Sequence, residues 1–450
     1  MGSDVSPPPE APGSTLEDRA REAVADCVHC GFCLPACPTY VLWQREPDSP
    51  RGRIQLLDAW LKGRVALDGE MAQRFDNCLG CLACVTACPS GVQYEHVIDL
   101  ARRELANKVD PSQPHRRGHE RTVDLALRLF PYRWRLRLAG VGLVAYRRSG
   151  MGPRLGRSRL WRRLPRALRE MDSLAPAVSF KSLVSRVPAS RPTAPVRGRV
   201  VLLRGCVQSV FFPEVTAATV RVLNAEGFDV VVPAGQPCCG ALALHEGRHE
   251  LAAQLARGLI ETTSLEGIDA VIVNAAGCGS SMKRYGALGG ADEAQGARAI
   301  EFAGKVRDLG EFLAAVGLRA SYGSLPLRLA FHDACHLAHA QGVRREPRRA
   351  LSAIPDLQLL ELAEPELCCG SAGLYNLLEP EPAVELGRRK ATSILASAPD
   401  AIVTSNPGCA LQLTRHLAEL SPPGVPAPEV MQLAQVLDRS LGGARPSPRG

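Results

Sequence analysis

Apolar residues recur at helical spacing in two segments near the start of the chain. Residues 53–61 and 93–108 each carry one apolar face, which predicts two amphipathic helices. A shorter helix is predicted before them, opened by a capping box at Ser14 and Glu17. The apolar faces consist of Ile54, Leu57 and Leu61 in the first segment and Val97, Ala101 and Leu105 in the second. Residues 14–110 are therefore expected to form a small helical unit.

From residue 197 onward, the pattern changes to short apolar runs that alternate with helical segments. This alternation is typical of a parallel sheet in an α/β fold. The predicted strands cover residues 200–203, 229–232, 270–273, 327–331, 357–362 and 401–404. The predicted helices between them cover residues 214–226, 249–264, 344–354 and 380–397.

Cysteines mark the same points of this α/β region twice, and each copy contains a Cys-Cys-Gly string. The spacings between successive cysteines are 32, 1 and 39 residues in the first copy and 33, 1 and 40 in the second. Corresponding cysteines lie 129 to 131 residues apart, so we predict two copies of one module, at 196–320 and 321–445. The cysteines are Cys206, Cys238, Cys239 and Cys278 in the first copy and Cys335, Cys368, Cys369 and Cys409 in the second.

These elements predict an α+β multidomain protein. A polar, Pro-rich tail at 1–13 is expected to be disordered. It precedes the helical unit at 14–110, a basic helical linker at 111–195 and the two α/β modules. The linker ends in three prolines, Pro188, Pro192 and Pro195, which suit a boundary.

The composition fits a globular protein that works in a reducing compartment. Apolar residues make up 46 % of the 450 positions, which is ordinary for buried cores. Sixteen cysteines would suit a secreted disulfide protein, but they cluster at metal-ligand spacing, and we find no signal peptide. No apolar run approaches the length that spans a bilayer. We therefore expect a cytoplasmic location.

The net charge of +8 is unevenly distributed. Residues 115–170 contain sixteen arginines, against Glu120, Asp124 and Glu170. This segment can be a solvated helical linker, or a docking surface for a partner subunit or anionic lipid. Nucleic-acid binding also suits arginines, but the cysteine chemistry gives it no purpose, and we expect no nucleic-acid partner.

Eight cysteines form two identical runs of the type Cys-x2-Cys-x2-Cys-x3-Cys-Pro, 51 residues apart. This is the spacing of bacterial ferredoxins with two [4Fe–4S] clusters, in which each run gives three thiolates to one cluster and the fourth to the other. We therefore assign Cys27, Cys30, Cys33 and Cys88 to one cluster, and Cys78, Cys81, Cys84 and Cys37 to the other.

Structural zinc and disulfides are the alternatives for these two runs. Zinc sites usually combine paired Cys-x2-Cys elements, so a repeated four-cysteine run with a proline is a poor zinc pattern. Pro38 and Pro89 are expected to prevent helix after the last ligand of each run. His29 lies inside the first run, where four cysteines already suffice, so we expect it to face solvent or modestly tune the potential.

The second eight cysteines follow the carboxyl ends of predicted strands, the edge at which open α/β sheets bind ligands. Gly240 and Gly370 permit the irregular turn that two adjacent cysteines need to serve one site. The site can be a third iron–sulfur cluster or a site of thiol or quinone chemistry; the alternative is a set of buried structural thiols. The flanking histidines His332, His336 and His339 are expected to be surface or hydrogen-bonded residues, with His336 as the candidate ligand among them.

The combination of the two cysteine runs with two Cys-Cys-Gly modules resembles the iron–sulfur subunits of bacterial 2-hydroxyacid dehydrogenases, in particular those of the glycolate oxidase type. The strings that carry the resemblance are CVHCGFCLPACPTY (27–40), PRGRI (50–54), CPSGVQY (88–94), NAAGCGSSMKRYG (274–286) and CCGSAGLYNLL (368–378).

The resemblance implies an electron-transfer subunit that works beside FAD-containing subunits. Glycolate would be oxidised on a partner's flavin, and electrons would pass through the clusters to a quinone or another acceptor at the inner face of the membrane. The sequence fits this division of labour because it has no Gly-x-Gly-x-x-Gly fingerprint for a flavin or nicotinamide of its own.

The chain departs from the wider Cys-Cys-Gly family at one position in each module. That family, which includes relatives of heterodisulfide reductase, often ends the motif with Cys-x-x-Cys, whereas this chain has Ala275 and Asn406 at the extra cysteine position. A simpler cluster, or none, is then an alternative to an unusual multi-iron cluster. The functional alternatives are an iron–sulfur subunit of a lactate or glycerol-3-phosphate dehydrogenase, or a thiol enzyme of heterodisulfide-reductase type.

Overall fold

The computed structural model describes residues 14–108, 114–150, 158, 166–176, 180–184, 187–193, 195–288 and 293–442. The predicted tail at 1–13 and part of the arginine-rich segment lie outside the described residues. Within the described part, a helical N-terminal unit and linker precede two α/β modules, as the sequence predicted.

The N-terminal unit packs its helices around one apolar core, to which Leu57, Phe75 and Val97 contribute fully buried side chains. The predicted apolar face at 93–108 is confirmed, since Val97, Ala101 and Leu105 are all buried. The α-helices of this unit are Leu16–Ala25, Pro38–Trp43, Pro50–Leu61, Gly69–Asp76, Ala83–Thr86 and Tyr94–Asn107.

Two local predictions for this unit were wrong in detail. The first helix is capped by Thr15 and Asp18, rather than by Ser14 and Glu17, and both hydrogen bonds of a capping box are present. Pro38 does not prevent a helix but begins one, since the first helical position needs no backbone N–H donor and suits the fixed φ of proline.

The described parts of the linker contain four helices and contact both modules. Its helices are Pro114–Leu129, Arg133–Arg148, Arg166–Leu174 and Phe180–Leu183. Leu136 and Val144 of the second helix pack against the core of the first module. Arg415 of the second module forms an ion pair of 2.7 Å with Glu170 of the third helix. The linker therefore lies across both modules.

The first module is a four-stranded parallel sheet in the order β2-β1-β3-β4. Its strands are β1 (Gly198–Leu203), β2 (Phe228–Val231), β3 (Ala270–Val273) and β4 (Val306–Asp308). Its α-helices are Cys206–Phe211, Pro213–Ala225, Ala241–His245, His249–Glu261, Ala276–Lys283, Glu293–Lys305 and Leu309–Val316. The strand order reverses beside β1, so the crevice at the carboxyl ends of β1 and β3 is the expected ligand position of such a sheet.

The second module repeats the arrangement in the order β6-β5-β7-β8. Its strands are β5 (Arg328–His332), β6 (Gln358–Leu360), β7 (Ala401–Thr404) and β8 (Glu429–Met431). Its α-helices are Cys335–Ala338, Arg345–Leu351, Tyr375–Leu378, Pro380–Ala396, Pro407–Leu420 and Leu433–Ser440. The six predicted strands are confirmed within a few residues at their ends, whereas β4 and β8 were not predicted.

The two modules bury apolar faces against each other in a reciprocal way. Helix Pro213–Ala225 of the first packs on Leu433–Ser440 of the second, and Leu309–Val316 of the first packs on Arg345–Leu351 of the second. The two contacts exchange equivalent elements, as in an isologous dimer interface. Arg221 and Asp438 add an ion pair of 2.6 Å across this interface. The packing of the two modules therefore sets the position of one cysteine-bearing sheet edge relative to the other.

Candidate iron–sulfur and cysteine sites

The first eight cysteines gather in two neighbouring pockets of the N-terminal unit. One pocket is lined by Cys27, Cys30, Cys33 and Cys88, and the other by Cys37, Cys78 and Cys81, with Cys84 lining both. Each pocket thus takes three cysteines from one run and the last cysteine of the other. This is the crossed grouping expected from the spacing, and the assignment of each sulfur to one cluster remains our prediction.

The backbone of both runs turns in the same unusual way around the second cysteine. His29 and Leu82 adopt left-handed conformations, with φ of +57° and +60°, although neither is glycine. The corresponding positions of the other run, Gly80 and Gly31, are left-handed too. Such residues reverse the chain locally, so the loop can point successive thiols into one pocket. The amide of Gly80 donates to the sulfur of Cys78 at 3.4 Å.

The two groups differ in their exposure. In the outer group, Cys30 is exposed, and the adjacent side chains of Val28 and Phe32 are 67 % and 66 % exposed. In the inner group, all four cysteines are buried. His29 is exposed as predicted, and its ring lies 3.8 Å from the sulfur of Cys27. The outer group therefore lies at the molecular surface, whereas the inner group lies within the protein.

A buried guanidinium lies beside the inner group. Arg53 is 1 % exposed and donates to the carbonyl oxygen of Arg74 at 2.6 Å and to Thr39 at 3.2 Å. Burial raises the pKa of the Cys81 and Cys84 thiols well above its usual range. Thiolates at such a depth need compensating charge, which a bound metal and a neighbouring cation supply. The donor set of eight thiols in two pockets fits two [4Fe–4S] clusters.

The second eight cysteines follow the carboxyl ends of their strands, as predicted. In the first module, the thiol of Cys238 donates to the sulfur of Cys206 at 3.6 Å, and Cys239 contacts both Cys238 and Cys278. The second module repeats this chain of contacts through Cys335, Cys368, Cys369 and Cys409. Each module thus brings its four cysteines into one group.

Only glycine fits sterically at the third position of each Cys-Cys-Gly string. Gly240 and Gly370 have φ of +79° and +84°. A Cβ atom at Gly240 would lie 2.9 Å from the carbonyl oxygen of Ala252, and one at Gly370 would lie 2.5 Å from that of Ala383. Both the left-handed backbone and the close approach to the second helix after each glycine require glycine here.

The two modules share one cavity of about 460 Å³. Cys206, Cys238, Cys239 and Cys278 reach it from the first module, and Cys335, Cys368 and Cys409 reach it from the second. The linker contributes apolar side chains, among them Leu136 and Leu143. The inner cysteine group adjoins this cavity, since Cys81 packs in one cluster of buried side chains with Cys335 and Cys368. The cysteine sites therefore lie in a row from the surface to the cavity.

The structure differs from the expectation for one of the three flanking histidines. His336, the candidate ligand, is hydrogen-bonded as expected, since it donates from Nε2 to the carbonyl oxygen of Gly80 at 3.1 Å. His339 is hydrogen-bonded to Thr86 at 2.9 Å, as expected. His332 is neither on the surface nor hydrogen-bonded: it is 1 % exposed, and neither ring nitrogen has a partner among the described residues. Of the three histidines, only His332 therefore departs from the expectation of a surface or hydrogen-bonded residue.

His245 is a residue that sequence reasoning missed. Its Nε2 atom lies 3.1 Å from the carbonyl oxygen of Leu79, and Arg102 donates to its Nδ1 at 3.2 Å. His245 and His336 thus bind adjacent carbonyl groups of the loop between Cys78 and Cys81. No local pattern marks His245, because its partners lie more than a hundred positions away in the sequence.

At least one arginine of the basic segment at 115–170 serves packing. Arg116 is buried and binds Asp76 at 2.7 Å and Glu120 at 3.1 Å. Arg248 of the first module also pairs with Glu120. Along Arg133–Arg148, by contrast, the described residues include no carboxylate paired with an arginine of the helix. No helix in the described part of the chain has the length and apolar character needed to cross a bilayer.

Three protein-family profiles match the chain. A profile of a cysteine-rich domain matches residues 200–283 and 329–414, and a profile of a 4Fe-4S dicluster domain matches residues 23–92. A profile for the linker region of the glycolate oxidase iron–sulfur subunit matches residues 121–175.

Curated relatives match over most of the chain. A probable glycolate oxidase iron–sulfur subunit of Bacillus subtilis is 34 % identical over 393 residues, which cover 86 % of this chain and 88 % of that protein. The glycolate oxidase iron–sulfur subunit of Escherichia coli is 34 % identical over 409 residues, covering 88 % and 93 %. Lactate utilization protein A of an Exiguobacterium strain is 28 % identical over 243 residues, covering 54 % of this chain and 98 % of that protein.

A solved structure shares the fold. The crystal structure of a hypothetical protein from Helicobacter pylori superposes with a TM-score of 0.51 at 10 % identity, covering 88 % of this chain and 68 % of that one. At this identity, the likeness concerns the fold alone.

Proposed function

The chain belongs to the family of glycolate oxidase iron–sulfur subunits, and we propose that it carries electrons from a flavin subunit that oxidises glycolate to a quinone-type acceptor. It is an oxidoreductase component that carries [4Fe–4S] clusters. Such clusters transfer one electron at a time at potentials that their surroundings set. The chain itself supplies the thiolates, their burial and their order in space.

The observation that carries the proposal is the row of cysteine groups from the surface to the shared cavity. Cys27, Cys30, Cys33 and Cys88 would hold the outer cluster, and Cys37, Cys78, Cys81 and Cys84 the inner one. Because the inner group packs directly against Cys335 and Cys368, the order of sites runs from an exposed donor side to a buried acceptor side. This order suits a conduit between two redox partners.

We assign the donor side to the outer cysteine loop. Val28 and Phe32 flank Cys30 there and are largely exposed, which suits contact with a protein partner that excludes water from the transfer path. The FAD-containing subunit is the partner that the family relationship supports, because the hydride chemistry of glycolate needs a cofactor of that kind. The shared cavity, with its apolar linker residues, is the corresponding position for an acceptor.

Helix Arg133–Arg148 supports a peripheral contact with the inner face of the membrane. Trp134, Leu138 and Val141 are 59 %, 62 % and 42 % exposed and lie on one face, four and three positions apart. The helix carries five arginines and no acidic residue. Apolar and aromatic side chains beside arginines that pair with no carboxylate of the described residues are the pattern of a helix that binds an anionic lipid surface. This pattern supports our proposal that the protein works at the cytoplasmic side of the membrane.

Lactate is the second candidate substrate. The similarity to a lactate utilization protein over half the chain favours it, and the two 2-hydroxyacids differ by one methyl group.

This chain lacks the extra cysteine of the Cys-x-x-Cys element at Ala275 and Asn406, which separates it from a heterodisulfide-reductase type of thiol enzyme. Substitution Cys368→Ser would abolish disulfide reduction in that alternative while leaving the first eight cysteines intact.

The test is purification of the native complex under anaerobic conditions, followed by addition of glycolate or lactate. We expect a flavin subunit to co-purify and glycolate to bleach the iron–sulfur absorbance faster than lactate at equal concentration. Faster bleaching by lactate would establish the second candidate. Absence of bleaching by either acid, with the flavin subunit present, would contradict both.

A further inference from the structure

The two modules differ where three polar residues surround the second cysteine group. His332 ends strand β5 at the position that Leu203 takes in strand β1. The repeat likewise places Lys390 opposite Leu259 and Asn406 opposite Ala275. The first module is therefore apolar at three positions where the second carries an imidazole, an ammonium and an amide. The shared fold alone does not require these groups, since the first module folds without them.

His332 lies among the thiols of its module. Its ring nitrogen and the sulfur atoms of Cys369 and Cys409 all lie within 4.8 Å of one another. All three side chains are buried, and within the described part of the chain neither nitrogen of His332 has a hydrogen-bond partner. A buried imidazole with both nitrogens unsatisfied costs free energy unless something else binds it.

The spacing fits a metal ion. Zinc binds cysteine sulfur at about 2.3 Å and histidine nitrogen at about 2.0–2.1 Å in a tetrahedral site. Neighbouring ligand atoms of such a site are then roughly 3.5–3.8 Å apart, so a small inward movement from the observed spacing completes it. Imidazole and thiolate together also suit iron.

The hydrogen bond with Cys409 and burial raise the pKa of the Cys369 thiol well above its usual range, so a thiolate here needs compensating polar groups. The side chain of Lys390 is fully buried and donates to the carbonyl oxygens of Glu364 and Pro365. Its ammonium interacts electrostatically with Cys369 and Cys368, and a positive charge stabilises deprotonated sulfur. The amide of Asn406 donates to the sulfur of Cys409 at 3.5 Å. The first module offers none of these three contacts, because its residues there are apolar.

We propose that His332, Cys369 and Cys409 coordinate a thiophilic divalent metal in the second module. The first module has no equivalent histidine ligand, because Leu203 takes the position of His332. The metal is either a zinc ion or one iron of a third iron–sulfur cluster, since both use the same ligands. This assignment deepens the proposed electron-transfer role by giving its acceptor side a metal centre, and it rests on different residues from the first eight cysteines.

The test is metal and sulfide analysis of the anaerobically purified full-length chain and three variants. His332→Leu copies the residue that the first module already buries at this position, so the fold should tolerate it. His332→Cys supplies another soft ligand and should rescue the metal. His336→Gln removes a neighbouring histidine that does not face Cys369 and serves as the matched control. Circular dichroism of each variant checks the fold.

We expect His332→Leu to lose at least one metal equivalent per chain, while His332→Cys and His336→Gln keep the wild-type content. Loss of zinc alone would identify a mononuclear site, and loss of iron together with sulfide would identify a cluster; either supports the proposal. Unchanged metal in His332→Leu, or an equal loss in His336→Gln, would overturn it. A wild-type chain without any iron would instead contradict the proposed function, so the two failures are distinguishable.

Discussion

The Nε2 atom of His336 lies 3.1 Å from the carbonyl oxygen of Gly80, which ties the second module to the loop between Cys78 and Cys81. His245 of the first module binds the neighbouring carbonyl of Leu79 at the same distance. A carbonyl oxygen only accepts, so both histidines donate from Nε2. Both modules thereby fix the position of the inner cysteine loop.

Removing the donor of His336 should loosen this loop. In His336→Leu, the carbonyl of Gly80 loses its partner in a buried place, which costs about 1–3 kcal/mol. We expect a lower midpoint of thermal unfolding and a shifted reduction potential of the inner cluster, measured by EPR-monitored titration. His336→Gln can keep an N–H donor and serves as the control. Equal potentials in the wild type and the leucine variant would show that the contact does not position the loop.

Gly370→Ala should disrupt the second module more than a similar change elsewhere. Gly370 and Gly424 both have left-handed φ, of +84° and +81°, so alanine is strained at either position. Only Gly370 has a backbone carbonyl 2.5 Å from the added Cβ, whereas nothing lies within 4 Å at Gly424. We expect Gly370→Ala to be less stable than Gly424→Ala by about 1–3 kcal/mol in chemical denaturation. Similar losses in both variants would mean that the close approach is readily relieved.

Lipid binding by helix Arg133–Arg148 should depend on its exposed apolar face. Sedimentation with vesicles that contain anionic lipid should decrease severalfold in Trp134→Glu or Leu138→Glu, because each change removes apolar contact and adds repulsion. Ile300→Glu alters a side chain of similar exposure (64 %) on the first module and is the control. High salt should also weaken the wild-type binding. Equal sedimentation of Leu138→Glu and Ile300→Glu would argue for a protein partner at this helix.

Asp308 predicts a pH dependence of stability. Burial raises the pKa of Asp308 to about 7, so the folded chain holds a proton that the unfolded chain loses near pH 4. Between these values the folded state binds more protons, and the contribution of this group to stability falls as the pH rises. As the pH rises from 5 to 8, the free energy of unfolding of the wild type should therefore fall relative to that of Asp308→Asn, which has no carboxyl group to titrate.

This relative fall should be on the order of 2 kcal/mol or more, and it is measured by urea denaturation at both pH values. Asparagine can still accept from the amide of Gly310, which Asp308 caps at 2.8 Å. The surface variant Asp356→Asn is the control. A constant difference between Asp308→Asn and the wild type across this range would contradict the buried protonation.

The sequence predicted the cysteine groups and six strands because both carry strong local signals. Fixed spacing marks the cysteines, and runs such as 270–273 are apolar at every position. Strands β4 and β8 escaped prediction because their three-residue segments, VRD and EVM, include charged residues and belong to no apolar run, unlike the equally short edge strand β6. Neighbouring strands and helices, rather than their own patterns, define them.

The grouping of the cysteines was predictable from the sequence, whereas the surroundings of the histidines were not. Helix-like spacing around Cys335 does not tell which histidine faces the thiols, and His336 of helix Cys335–Ala338 donates to the N-terminal unit. His332 precedes that helix as the last residue of β5, where the sheet directs it inward to Cys369 and Cys409. Such contacts depend on tertiary packing, which residue spacing in one sequence does not encode.

The most direct test of the electron-conduit account is the iron and acid-labile sulfide content of the anaerobically purified chain. Two [4Fe–4S] clusters require about eight iron atoms and eight sulfides per chain, and EPR of the reduced protein should show two interacting centres. Substitution of Cys30 or Cys81 by serine should each disturb a different centre. Fewer than about eight iron atoms after reconstitution, or zinc bound to these cysteines, would contradict the account.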